Sequence, residues 1–144
     1  MRRYTFRLEP VRRARRGQEQ LAAAELAVAN REAAAAHHTL ARRREQHDLV
    51  AGPPPPMPAA TFRKDHERRE TVGAALRAAE RSVAAAAAAA ELRRRDYTEA
   101  ATRVAALDRL DHRHRAEHAV EAARGEDKIV DDIVVDRFRR NRGG

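Results

Sequence analysis

At 144 residues the chain has room for one ordinary domain, but only 3% of it is aromatic, 36% is charged and the mean hydropathy is −0.79. Alanine supplies much of the hydrophobic share and buries little area, so a thick globular core is excluded in favour of a thin seam between long helices. The net charge of +8 admits nucleic acid, anionic lipid or an acidic protein face as partners, and the absence of cysteine excludes disulfides and thiol chemistry.

Residues 1–9 are a basic lead carrying Tyr4, Phe6 and Leu8. Pro10 suits a first helical turn, where its missing N–H is not needed. The first predicted helix runs from about 10 to 50. One stripe along it is Val11, Ala14, Gln18, Ala22, Leu26, Ala29, Ala33, Ala36 and Leu40, with a local shift near Ala22 that resembles a stutter. Residues 51–60 form the turn. Gly52 can end a helix in a left-handed conformation, and Pro53 to Pro56 with Pro58 give a stiff extended elbow. The second predicted helix runs from about 61 to 141. Its period of seven is plain at Phe62, Arg69, Leu76, Val83, Ala90, Tyr97 and Val104, with Asp65, Val72, Ala79, Ala86, Arg93, Ala100 and Leu107 as companions. The run Ala84 to Ala90 favours helix over disorder.

These elements predict an all-α fold: a two-helix antiparallel coiled-coil hairpin with a longer, projecting C-terminal helix, one domain over 1–144. A simple hairpin sets residue 50 opposite about 61 and residue 10 opposite about 101. Beyond 101 only the lead remains to cover the second helix. Yet Val104, Leu107, Leu110, Val120, Val130, Ile133, Val134 and Phe138 continue an apolar stripe. Fully burying one such side chain is worth about 1.5–3 kcal/mol, which an isolated helix cannot collect. Self-association or docking into another protein is the expected consequence. There is no apolar run long enough to span a membrane and no signal-peptide core, so a cytoplasmic location is expected.

No phosphate loop, nucleophile elbow or concave site is in view, so neither an enzyme, a cofactor nor a small-molecule substrate is expected. Asp111, His114, Glu117 and His118 fall on neighbouring turns with zinc-compatible spacing, but a solvated polar face is the simpler reading and no metal site is assigned. His37, His38, His47 and His66 flank the turn and could form a pH-sensitive patch; exposed surface histidines are the default. The arginines at 2, 3, 7, 12, 13, 15 and 16, with Arg42 to Arg44 and Arg93 to Arg95, keep a nucleic-acid-binding or basic structural coiled coil open as the alternative. Acids mixed through both helices and the lack of interleaved stacking aromatics weigh against it.

The opening Phe6-Arg7-Leu8-Glu9-Pro10-Val11 resembles the start of the flagellar export coiled-coil proteins of the FliJ family. The later Leu107-Asp108-Arg109-Leu110, Arg113, Arg115 and Glu126-Asp127-Lys128-Ile129-Val130-Asp131-Asp132, closed by Arg137-Phe138-Arg139-Arg140, are similar to that family's C-terminal stretch. The resemblance implies a component of flagellar type III protein export, serving flagellum biogenesis, motility and chemotaxis. It implies a stalk similar in form to that of rotary ATPases. The expected partners are the export ATPase ring, the export gate membrane protein and export chaperones, at the cytoplasmic side of the membrane. The Pro-rich turn departs from some members, and no gate-contacting residue is carried over. Joined to the unpaired stripe, the resemblance makes Val130, Ile133, Val134 and Phe138 the expected apolar partner contacts. Asp131, Asp132, Arg137 and Arg140 would set polar register, with Phe6, Leu8 and Val11 near the same end.

Overall fold

The computed structural model describes residues 3–142; Arg2 of the basic lead lies outside them. The described residues hold two helices packed against each other, α1 over Glu9–Val50 and α2 over Ala59–Arg142, and no strand. The chain enters α1 through the Glu9 amide, which donates to the Phe6 carbonyl at 3.1 Å, and the Arg12 amide, which donates to the Leu8 carbonyl at 2.8 Å. Pro10, between them, has no amide to leave unpaired. At the other end, Gly52 turns the chain with φ +102°, a conformation that side chains with a Cβ rarely adopt. Arg69 closes that end. Its Nη1 donates to the carbonyls of Val50 and Gly52, the latter at 2.6 Å, while its Nε donates to Asp65 at 2.6 Å. Arg69, the charged member of the seven-residue period, is therefore a cap. The Phe62 amide donates to the Pro58 carbonyl at 2.9 Å as α2 begins.

Contacts divide the chain into two units, one of residues 18–100 and one of residues 1–17 with 101–144. In the first unit the buried side chains are small: Ala22, Ala29, Leu40 and Val50 of α1, and Ala79 and Ala90 of α2. Cover recurs along α1 at Ala22, Leu26, Ala29, Ala33, Ala36 and Leu40, in steps of three and four. Along α2 it recurs at Val72, Leu76, Ala79, Val83, Ala86, Ala90, Tyr97 and Ala100, the seven-residue period of a left-handed coiled coil. Arg93 reaches across to Glu25 at 3.3 Å.

In the second unit the same spacing turns polar. On α1 the covered positions are Glu9, Arg12 and Arg15, while Val11 and Ala14 are exposed. The stutter expected near Ala22 is absent, because charged residues hold seam positions that an apolar count would not assign to them. On α2 the covered positions are Val104, Leu107 and Asp111, with His118 half-covered. The pairing also differs from the simple hairpin estimate. Glu25 with Arg93, and Arg12 with Asp108 and Asp111, fall about two to three helical turns further along α2. Arg69, not residue 61, meets Val50, and Phe62 is half-exposed. The first turns of α2 therefore lie beyond the reach of α1, and cover extends past residue 101.

Candidate partner-binding site

The unit of residues 1–17 and 101–144 combines a polar knot and a bare helix. The knot centres on Asp111, 5% exposed. The Tyr4 hydroxyl donates to its Oδ1 at 2.8 Å, Arg12 Nη1 to its Oδ2 at 2.7 Å, and Arg115 Nε sits 3.2 Å from both oxygens. Arg12 also pairs with Glu9 and lies 3.5 Å from Asp108, which Arg16 meets at 3.2 Å. Burial pushes the Asp111 carboxyl pKa up, but the hydrogen bonds from Tyr4, Arg115 and Arg12 outweigh it and bring the pKa to about 2. Arg12 is held more firmly protonated, first by its hydrogen bond to Asp111. Tyr4 is raised by burial and then by the same carboxylate.

Aromatic contacts complete the knot. Phe6 is buried, with its ring 6.1 Å from His114 and under the Arg12 guanidinium at 5.2 Å. Tyr4 lies 5.6 Å from His118 and under Arg115 at 5.4 Å. The two histidines also pack against the lead's rings, His118 half-covered and His114 still exposed. The described residues contain no cluster of three or more potential metal ligands. Sequence marks Tyr4 in the aromatic lead, Arg12 in the basic start and Arg115 in the family resemblance, but gives none of them a role at Asp111. The signal that could have found the knot is the seven-residue step from Val104, which lands on an acid opposite a strongly basic N-terminal helix.

The lead covers α2 as far as His118. Beyond it, Ile129, Val130, Ile133, Val134, Val135 and Phe138 are 48% to 63% exposed. The seven-residue steps of the covered seam would continue through Gly125, Lys128, Asp132, Val135 and Arg139. At 3.6 residues per turn, Ile129, Val130, Ile133, Val134 and Phe138 lie mostly on the other side of the helix. The single stripe read from Val104 to Phe138 is thus two: a covered one that ends in the knot, and a bare one on a different face. Val120, half-exposed, lies five turns before Phe138 and so on the same side of the helix.

Of the residues expected to meet a partner, Val130, Asp131, Asp132, Ile133, Val134, Arg137, Phe138 and Arg140 are all exposed on this last stretch. Leu8 and Val11 are exposed near the knot, while Phe6 is turned into it. No helix is long and apolar enough to cross a membrane among the described residues. The family model described as the flagellar FliJ protein matches residues 4–143. Neither the curated proteins nor the solved structures give a match.

Proposed function

Since the chain belongs to the FliJ family, whose members take part in flagellar protein export, we propose that it is the cytoplasmic stalk of that apparatus. In this reading the helices form one domain, an antiparallel hairpin whose longer C-terminal helix projects into the ring of the export ATPase. The Pro-rich turn faces the export gate protein at the cytoplasmic side of the membrane, and export chaperones bind along the hairpin. It couples ATPase and gate mechanically, without chemistry of its own, in support of flagellum assembly and motility.

The observation that carries this reading is the bare stretch of α2, with six large apolar side chains half-exposed on one helix next to an arginine-rich tip. Val130, Ile133, Val134 and Phe138 supply apolar contact with the ring. Asp131, Asp132, Arg137 and Arg140 fix register. Leu8 and Val11 add to the contact, and Phe6 holds the lead that presents them. The lead and first turns of α1, residues 1–17, carry seven arginines and one acid, which suits an acidic ring face. The nucleic-acid alternative is weakened because Tyr4 and Phe6, the aromatics of this basic segment, are engaged within the knot and not offered for base stacking.

The test is co-purification with the cognate flagellar export ATPase, using the full chain and a version ending at Arg124. Binding by the full chain and its loss in the shortened one is the expected result. Absence of binding by both, with the ATPase shown to be folded, overturns the proposal.

A further inference from the structure

The bare stretch of α2 has a charge order that its apolar residues alone do not require. Residues 126–136 hold five acids and one lysine, and residues 137–142 hold four arginines. A helix of this kind repels a parallel copy, because acid faces acid and arginine faces arginine. What an antiparallel copy meets depends on which charges share the apolar face. At 3.6 residues per turn, Glu126, Val130, Ile133, Val134 and Arg137 fall on one side of the helix, so an acid and an arginine bracket the apolar group. All five are exposed, and neither the Glu126 nor the Arg137 side chain has an ion pair or hydrogen bond among the described residues.

We propose that two copies of this chain pair through residues 123–140 of α2, running antiparallel about a two-fold axis between positions 131 and 132. In this register Glu126 of each copy faces Arg137 of the other, giving two equivalent ion pairs. Val130 faces Ile133 on both sides of the axis, and Ile129 and Val134 flank this apolar contact at opposite edges. An isologous contact of this form needs only one surface and closes without growing further. The overlap is short, about 27 Å along the helix, so the dimer is weak and depends on concentration. It covers the face offered above to the ring, and the free chain would then be a self-shielded form. The inference does not rest on that reading, since pairing of the purified chain involves no ATPase.

Sedimentation equilibrium of the full chain at low salt tests the proposal, with helix content followed in each variant. The wild type is expected to move from monomer to dimer as concentration rises. Glu126→Arg alone and Arg137→Glu alone each replace both ion pairs by repulsions, and dimerisation should weaken roughly tenfold or more. The double variant Glu126→Arg/Arg137→Glu restores both pairs in reversed sense and should recover the dimer. An equimolar mixture of the two single variants should likewise pair as a heterodimer. A wild type that stays monomeric throughout, single variants that dimerise as well as the wild type, or a double variant no better than the singles would each overturn it.

Discussion

Two stretches of the same helix, residues 104–118 and 125–142 of α2, are built from similar material and end in opposite states. Both mix branched aliphatics with acids and arginines. In the first, Val104 and the charged Asp111 are both buried; in the second, every apolar and charged side chain of residues 125–142 is exposed. Composition does not make this difference. The first stretch has a complement within the chain, the lead and the opening turns of α1, and Tyr4 and Arg12 satisfy the acid that would otherwise make burial costly. The second has no such complement among the described residues. Burial of charge follows from available partners, and exposure of apolar surface follows from their lack.

Substitutions of one kind at matched positions should separate the two stretches most sharply. Val104→Asp puts an unpaired carboxylate into the covered seam and should cost about 3 kcal/mol or more. Val130→Asp, on the bare face, should change the stability of the isolated monomer by about 0.5 kcal/mol at most. Urea denaturation followed by helix content checks both, and equal losses at the two sites would erase the distinction. The alanine seam of residues 18–100 should respond to crowding. Ala90→Leu forces the helices apart locally and should cost about 1–3 kcal/mol in the same assay. Removing the α1 cap with Arg69→Met should cost about 1–2 kcal/mol and hasten amide exchange near residue 50, if the bonds to Val50 and Gly52 hold that end.

The parts legible in sequence were those with a repeating apolar signal or a strong breaker. The proline turn, the two helices packed together and the period of α2 are of this kind, and the family resemblance rested on residues near both ends of the chain. The seam of α1 near its start was not legible, because an apolar count prefers Val11 to Arg12. The choice reverses only once Asp111 is known to stand opposite. The offset in pairing was hidden for a different reason. It depends on the path of Gly52 to Pro58, and proline restricts each residue without revealing where the next helix re-enters. Asp111 itself drew notice only for its histidine neighbours, which turn out to hold the lead's rings. The bare C-terminal face was legible as an excess of apolar residues without a complement; its rotation away from the covered seam needed the burial pattern.

The smallest effect is invisible at neutral pH and appears only in acid. Asp111 is the charged centre of the covered stretch, and its pKa falls from an ordinary 3.8 to about 2 in the folded chain. A carboxylate with a depressed folded pKa stabilises the fold fully above its unfolded value, and that contribution fades as pH falls through the folded value. Attachment of the lead should thus weaken between about pH 4 and pH 2, read as faster exchange of the Phe6 to Arg12 amides and release of the Tyr4 ring from His118. Asp111→Asn cannot ionise, so this pH dependence should disappear and the lead should already be looser at neutral pH. The bare stretch also holds carboxylates, but among the described residues none has a neutralising partner across a seam. A wild-type lead that loosens in the same window with Asn at 111 would place the acid sensitivity elsewhere and leave the polar knot without its centre.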